Sequence, residues 1–227
     1  MQEAGLTTVI VPFYNEERTI GKMLERLFAQ PFQKQVIVVD DGSTDAGAKE
    51  VARFPVERIR LESNSGKGHA IRAALAQAKG EVVVIQDADL EYDPVEIPRL
   101  TKLIFEDRAD AVYGSRFTGH PRRSLFYWHH LANNVITMLS NLLSDLDLTD
   151  METGAKAFRA ETLKKITLTS NRFGFEPEVT AKLSKMKARI FEIDYPYFGR
   201  TYEEGKKIDF LDALAAFWHV LRFNLGN

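Results

Sequence analysis

Asp87 and Asp89 end an apolar run, Val82-Val83-Val84-Ile85, with Gln86 before them and Ala88 between them. Two residues apart in an extended segment, their carboxylates project the same way. Carboxylates held side by side repel each other unless a cation stands between them. Hard oxygen ligands of this kind suit Mg²⁺ or Mn²⁺, with phosphate oxygens and water completing the shell. The plainer reading is a strand end with solvated acids, one of them capping a helix. Glu91 extends the acidic stretch. A second set of acids, Asp40-Asp41-Gly42-Ser43-Thr44-Asp45, also follows an apolar run. Acidic loops of this type can hydrogen-bond a base or a ribose and can hold a metal. They are poor phosphate cradles by themselves.

The elements that must carry these groups read as an α/β alternation. Val82 to Ile85 shows no polar alternation, as expected of a strand buried on both faces. Thr7-Thr8-Val9-Ile10-Val11-Pro12 and residues 35–39 read the same way, and residues 59–61 form a short strand. In open sheets of this class, ligands bind beyond the carboxyl ends of the strands. Phe13-Tyr14-Asn15-Glu16-Glu17 follows the first strand, and Ile20, Met23, Leu24 and Leu27 then recur at helical spacing. Asn64-Ser65-Gly66-Lys67-Gly68 lacks the full spacing of a nucleoside-triphosphate loop, which argues against an ATPase. Its glycines still let a ligand approach, and Lys67 can neutralise a phosphate at the start of a helix over 70–78. A plain turn is the alternative. Asp93-Pro94 opens a further helix.

Residues 109–113 form a strand followed by Gly114-Ser115-Arg116. Arg116 either contacts sugar or phosphate or pairs with one of the acids. Residues 122–146 carry a long apolar face broken by His129, His130, Asn133, Asn134 and Asn141. That pattern fits an amphipathic helix pair, packed on the sheet or lying in a membrane interface. His129 and His130 fall on different sides of a helix and make no metal pair. Asp150 and Glu152 lie in an acidic loop before the strand at 156–158. They can serve as a general base or steer a sugar, or they form only a cap and turn. The acids Glu176 and Glu178 begin a helix to about Met186, either facing the site or favouring the helix start. Residues 190–197 are the last strand. Arg200, Lys206 and Lys207 lie in the basic loop 199–207, which could clamp phosphates on closing. Phe210–Leu225 is a terminal amphipathic helix.

Composition narrows the classes. The chain has 227 residues, is 44% hydrophobic and carries a formal net charge of -2. It can bury a full core, and its charge gives no general attraction to nucleic acid. The absence of cysteine excludes disulfides, thiolate catalysis and zinc-thiolate sites. No apolar run approaches the ~18 residues that cross a bilayer. The expected location is the cytoplasm, or the inner face of a membrane without spanning it.

Val11-Pro12-Phe13-Tyr14-Asn15-Glu16, Val39-Asp40-Asp41-Gly42-Ser43, Gly66-Lys67-Gly68, Asp87-Ala88-Asp89 and Gly114-Ser115-Arg116 occur in the order that resembles the family-2 glycosyltransferases of GT-A fold. The likeness is closest to the dolichyl-phosphate mannose synthase and polyprenyl-phosphate glycosyltransferase branch, and it spans nearly the whole chain. It implies one domain over 1–227, with a Rossmann-like, mostly parallel central sheet flanked by helices. Residues 1–118 would bind the nucleotide sugar and 119–227 the acceptor. By resemblance, Pro12, Tyr14, Glu16 and either Asp40 or Asp41 meet the base and ribose, with Lys67, Asp87 and Ala88 near the nucleotide. Asp87, Asp89 and Glu91 meet Mg²⁺ or Mn²⁺ on the diphosphate. Arg116 and Arg200 meet the diphosphate, the donor sugar or an acceptor phosphate, and Lys206 and Glu152 serve the acceptor. Asp150 takes the position of a base or sugar contact. The implied reaction moves a hexose, with inversion, from a UDP- or GDP-linked donor to polyprenyl or dolichyl phosphate at a membrane surface. A soluble hydroxyl acceptor and a non-catalytic nucleotide-sugar-binding module are the alternatives. A nucleotidyltransferase would place a basic, glycine-rich loop after the first strand, where Phe13-Tyr14-Asn15-Glu16 stands instead.

Overall fold

The computed structural model describes residues 5–119, 123, 126–172, 174–201, 203 and 210–226. Its strands are β1 (Thr7–Phe13), β2 (Lys34–Asp40), β3 (Glu57–Arg60), β4 (Val82–Ile85), β5 (Ala111–Ser115), β6 (Lys156–Arg159) and β7 (Ile190–Asp194). They form one sheet in the order β3-β2-β1-β4-β6-β5-β7. β6 runs antiparallel to β4 and β5, while the other neighbours are parallel. The carboxyl ends of β1, β2, β4 and β5 therefore share one edge. Because β6 is reversed, its beginning lies at that same edge, with Lys156 opposite Ile85 and Tyr113. This reversal brings the loop before β6, with Asp150 and Glu152, to the tips of the parallel strands.

The continuous apolar runs are explained by burial on both faces. Ile10, Ile37, Val39, Val83 and Ile85 belong to one core. That core also holds Ala70, Ile71 and Ala74 of α3 (Lys67–Leu75), Phe175 and Val179 of α7 (Phe175–Lys185), and Val220 of α8 (Phe210–Leu225). Val9, Val11, Val36, Val38, Val82 and Val84 belong to the other core. There they meet Ile20, Met23, Leu24 and Leu27 of α1 (Ile20–Phe28) and Ile97, Leu100 and Ile104 of α4 (Ile97–Phe105). Asp93 Oδ1 accepts the Val95 N–H at 3.1 Å, capping the turn that leads into α4.

The short strand expected at 59–61 is Glu57–Arg60, the last strand ends at Asp194 rather than residue 197, and three further differences bear on the site. α3 begins at Lys67 rather than Ala70, so this lysine sits on the first turn beside the strand tips. β5 extends through Ser115, which places Arg116 directly at the edge. The expected helix pair over 122–146 is, among the described residues, one helix, α5 (Tyr127–Ser144), because no glycine or proline interrupts it. Its packing partners include α8 and α7. Asn141, read as a break in the apolar face, instead fastens the helix end, exchanging hydrogen bonds with Leu148 N–H and O at 3.1 and 2.7 Å.

Candidate functional site

A cavity of about 840 Å³ opens along the carboxyl edge of the sheet. Pro12, Tyr14, Glu16, Asp41, Lys67, Asp87, Ala88, Asp89, Glu91, Arg116, Glu152 and Arg200 all line it. The tips of β1 and β2 are cross-linked. Asn15, in a left-handed conformation at φ 52°, accepts the Thr44 N–H on its side-chain oxygen at 2.9 Å. Its own N–H donates to Ser43 Oγ at 3.0 Å. The Asp41 carboxylate accepts the N–H groups of Ser65 and Gly66 at 2.9 and 2.7 Å, which draws the Gly66–Lys67 turn onto the cavity wall. Gly66 has φ 93°, and a Cβ there would lie 2.7 Å from the Arg172 backbone, so only glycine fits.

Two adjacent acids thus have different fates. Asp41 reaches the cavity. Asp40 is buried outside its lining, accepting the Ser43 N–H at 2.7 Å and lying 3.5 Å from Arg60 Nη1.

Asp87 and Asp89 are balanced by cationic side chains from distant segments. Lys67 Nζ lies 2.8 Å from Asp87 and 3.0 Å from Glu176. Burial alone would lower the Lys67 pKa, but these two carboxylates outweigh it and hold the ammonium firmly charged. Arg200 reaches Asp89 at 3.0 Å and Glu16 at 3.4 Å. Asp89 is nevertheless pushed up to about 7, by burial first and then by the charges of Asp87 and Glu91. Among the described residues, eight carboxylates and five lysine and arginine side chains line the cavity. That surplus of negative charge, with two hard oxygen donors side by side, fits a divalent cation. Among the described residues no three His, Asp or Glu side chains form a ready-made shell, so a donor's phosphate oxygens and water would have to complete it. Glu91 does not fit the metal role implied by resemblance. Its Oε1 accepts the Arg200 N–H at 2.8 Å and its Oε2 accepts the Tyr197 hydroxyl at 3.0 Å. It anchors the segment after β7.

Asp150 also departs from its expected role. It is fully buried and absent from the cavity lining. Arg116 Nε and Nη2 bind its two oxygens at 2.6 and 2.7 Å, and the Arg116 N–H adds a third bond at 3.0 Å. Asn133 Nδ2 donates to it as well, at 3.3 Å. A carboxylate so committed orients Arg116 and has no free lone pair directed at a substrate. Arg116 itself faces the cavity between the rings of Phe117 and Tyr197, each 5.4 Å away. Lys206 lies outside the described residues, as do Arg122 and Lys207.

Of the two readings left open for Glu176 the cavity-facing one fits its position, and Arg172, Asn133 and Lys156 were not singled out as site residues from sequence. Glu176 and Arg172 line the cavity, and Asn133 links Arg116 to α5. Lys156 is buried at the start of β6, donating to the carbonyl oxygens of Met151 and Thr153 at 2.8 and 2.5 Å. Burial lowers its pKa to about 8 against the opposing effect of Glu176, Asp150 and Glu152. The signal for it was a lysine flanked by alanines and followed by phenylalanine, Ala155-Lys156-Ala157-Phe158.

The helices α5 and α8 give the cavity a mixed lining. Ala132, Ile136, Ala213 and Ala216 are its apolar part, beside His129, His130, Asn133 and Asp212. Helix α5 exposes Trp128, Leu131, Val135, Met138 and Leu142, with Tyr127 both exposed and at the cavity, and α8 exposes Leu214, Phe217 and Trp218. No described helix is long and apolar enough to cross a membrane.

A reversed strand inside a parallel sheet, with paired acids at the strand tips, is the GT-A arrangement, and known proteins agree. Residues 8–167 match the profile of Glycosyl transferase family 2, and the chain belongs to that family. Among curated relatives, glycosyltransferase AglJ of Haloferax volcanii is 28% identical over 202 residues, 88% of this chain and 66% of that protein. The undecaprenyl-phosphate mannosyltransferase of Micrococcus luteus is 28% identical over 241 residues, covering 96% and 98% of the two chains. The dolichol-phosphate mannosyltransferase of Pyrococcus furiosus is 28% identical over 208 residues, 88% of this chain and 58% of that protein. The chain thus spans under two thirds of the length of several relatives. In fold it is similar to glucosyl-3-phosphoglycerate synthase from Mycobacterium tuberculosis, solved with Mn²⁺, UDP and phosphoglyceric acid. The TM-score is 0.77 at 18% identity, covering 97% and 78% of the chains.

Proposed function

We propose that the protein transfers a hexose from a nucleotide-diphosphate sugar to a polyprenyl-type lipid phosphate, with inversion at the anomeric carbon. One observation carries this reading: one cavity is lined both by the acid-rich strand tips and by α5 and α8, which bring Ala132, Ile136, Ala213 and Ala216 to it beside His129, His130, Asn133 and Asp212. A ligand set that fills it has charged groups at the strand tips and some hydrocarbon against the helices. The names of the Micrococcus and Pyrococcus relatives, and the UDP and Mn²⁺ in the structural neighbour, support the same pairing.

Tyr14 and Asp41 would hold the base and ribose. Asp87 and Asp89 would hold Mg²⁺ or Mn²⁺, which when bound offsets the charge of the leaving diphosphate. Lys67 and Arg200 would add fixed positive charge beside the diphosphate, and Arg116 would meet the acceptor phosphate. A phosphate acceptor is already ionised and needs no base, which suits an Asp150 locked onto Arg116. The exposed aromatic and aliphatic stripe on α5 and α8 would rest on the lipid surface that supplies the acceptor.

The test is transfer from radiolabelled UDP-glucose and GDP-mannose, with Mn²⁺, to undecaprenyl phosphate in detergent. Label partitioning into butanol is expected. Label remaining in water as a new glycoside would favour a soluble acceptor, and no transfer from any nucleotide sugar would sink the donor assignment.

A further inference from the structure

Along the cavity's strand-tip end, Asp41, Asp87, Asp89, Glu91 and Glu176 each have a hydrogen-bond or ion-pair partner. Glu152 stands apart. Its Oε1 is shut off from solvent and has no hydrogen bond. Native proteins seldom leave such an atom unsatisfied, because a sealed polar group without a partner is destabilising.

The loop cannot easily relax to relieve it. On either side of Glu152, the carbonyl oxygens of Met151 and Thr153 are held by Lys156, and the Met151 N–H donates to Thr137 Oγ1 at 3.2 Å. Thr153 Oγ1 donates to the Gly114 oxygen at 2.6 Å, and the Gly154 N–H donates to the Tyr92 hydroxyl at 3.0 Å. Glu152 is therefore displayed on a fixed frame, as a pre-formed recognition group requires.

Its place in the sheet says what it meets. In the order β3-β2-β1-β4-β6-β5-β7, Asp41 follows β2, Tyr14 follows β1, the Asp87/Asp89 pair follows β4, and Glu152 precedes β6. If base and ribose lie at β2 and β1 and the diphosphate at β4, the next group along the edge is the sugar. The loop is in direct reach of the acid pair, since a Cβ on Gly154 would lie 2.3 Å from Asp87 Oδ2. Glu176 and Asp150 act on this carboxyl against Lys156 and Arg116, and two negative oxygens held face to face, as with a phosphate, would repel. A hydroxyl suits it in either protonation state, since a carboxylate accepts and a carboxylic acid donates.

Resting on the donor reading above, we infer that Glu152 binds a hydroxyl of the transferred hexose and so helps set which sugar is accepted.

The experiment uses the full chain, wild type, E152A and E152Q, with Mn²⁺. Calorimetric titration is run with UDP, GDP, UDP-glucose, UDP-galactose and GDP-mannose. Whichever nucleotide sugar the wild type binds best, E152A should weaken it about three- to tenfold, the range for losing one neutral hydrogen bond. The matching bare nucleotide should bind unchanged, and the preference between sugars should narrow. Without ligand, E152Q should melt no lower than the wild type, the opposite of what a purely structural glutamate would show. Equal losses for nucleotide and nucleotide sugar, or no loss for either, would overturn the role of Glu152 and leave the donor reading standing. A wild type that bound none of the five would overturn both.

Discussion

Two arginines meet carboxylates in the cavity wall, and they are built differently. Arg116 gives Asp150 two side-chain bonds and a backbone bond, and adds Asn133 at 2.9 Å. Asp150 is fixed in turn through its own N–H, which donates to Glu192 at 3.0 Å. Arg200 instead spreads over three carboxylates from two loops, reaching Asp89, Glu16 and Glu91 at 3.0, 3.4 and 3.6 Å. Its Nε is sealed from solvent without a hydrogen bond. The first pair is saturated and behaves as framework. The second is shared and incompletely satisfied, so it can be redistributed when a cation or a diphosphate arrives. One cavity wall thus combines a rigid charge with an exchangeable one.

The largest effect expected from this contrast is on stability at the framework pair. Asp150→Ala leaves Arg116 without its counter-charge in a half-buried setting, and should cost about 3–5 kcal/mol in urea unfolding. A loss under about 1 kcal/mol, the range of exposed pairs, would show that Arg116–Asp150 is no framework.

At the exchangeable pair the expected effects move from stability to activity. Asp89→Asn should lower sugar transfer about 100-fold, equivalent to ~2.7 kcal/mol of barrier, and weaken Mn²⁺ binding in calorimetry. The fold should not suffer, because Asp89 is already crowded by Asp87 and Glu91. Unchanged Mn²⁺ affinity would remove the acid pair from the metal assignment. Arg200→Ala should reduce transfer by about tenfold, roughly one charge-assisted hydrogen bond. In the donor-free protein it should tighten Mn²⁺ binding, since it removes a competing cation 3.0 Å from Asp89. Weaker Mn²⁺ binding in this variant would mean that Arg200 supports the cation site rather than contesting it.

The same contrast explains what the sequence could reveal. β1, β2 and β4 were legible because strands buried on both faces leave uninterrupted apolar runs, and acids at their tips then mark the ligand edge. Which of Asp40 and Asp41 faces the cavity was not legible, because a strand tip turns neighbouring side chains to opposite sides and the sequence carries no label for either. The commitment of Asp150 to Arg116 was hidden for another reason. It depends on the reversed β6 bringing together residues 34 positions apart. The helix pair expected over 122–146 failed because polar residues were read as interruptions. Asn133 and Asn141 are instead buried-side fasteners of one continuous helix.

The smallest expected effect separates Glu152 from its framework neighbours by pH. Its carboxyl, ordinarily at 4.5, is pushed up to about 8, by burial first and then by Glu176, with Lys156 and Arg116 opposing and Asp150 adding to the rise. A carboxyl raised on folding contributes stability that is fully present below about pH 4.5 and is lost as pH rises through about 8. Lys156, lowered from 10.5 to about 8, acts in the opposite sense: its contribution is present above 10.5 and lost as pH falls through about 8. Between pH 5 and 7 the lysine is charged in both states and adds almost no slope. In that window the wild type should lose melting temperature with rising pH relative to Glu152→Gln. His219, whose pKa is lowered by burial first and then by Arg222, is common to both proteins and cancels in the difference. Parallel melting curves for the two proteins from pH 5 to 7 would show that Glu152 is ionised and solvated in the free chain, and its unpaired oxygen would then be no reserve for a ligand.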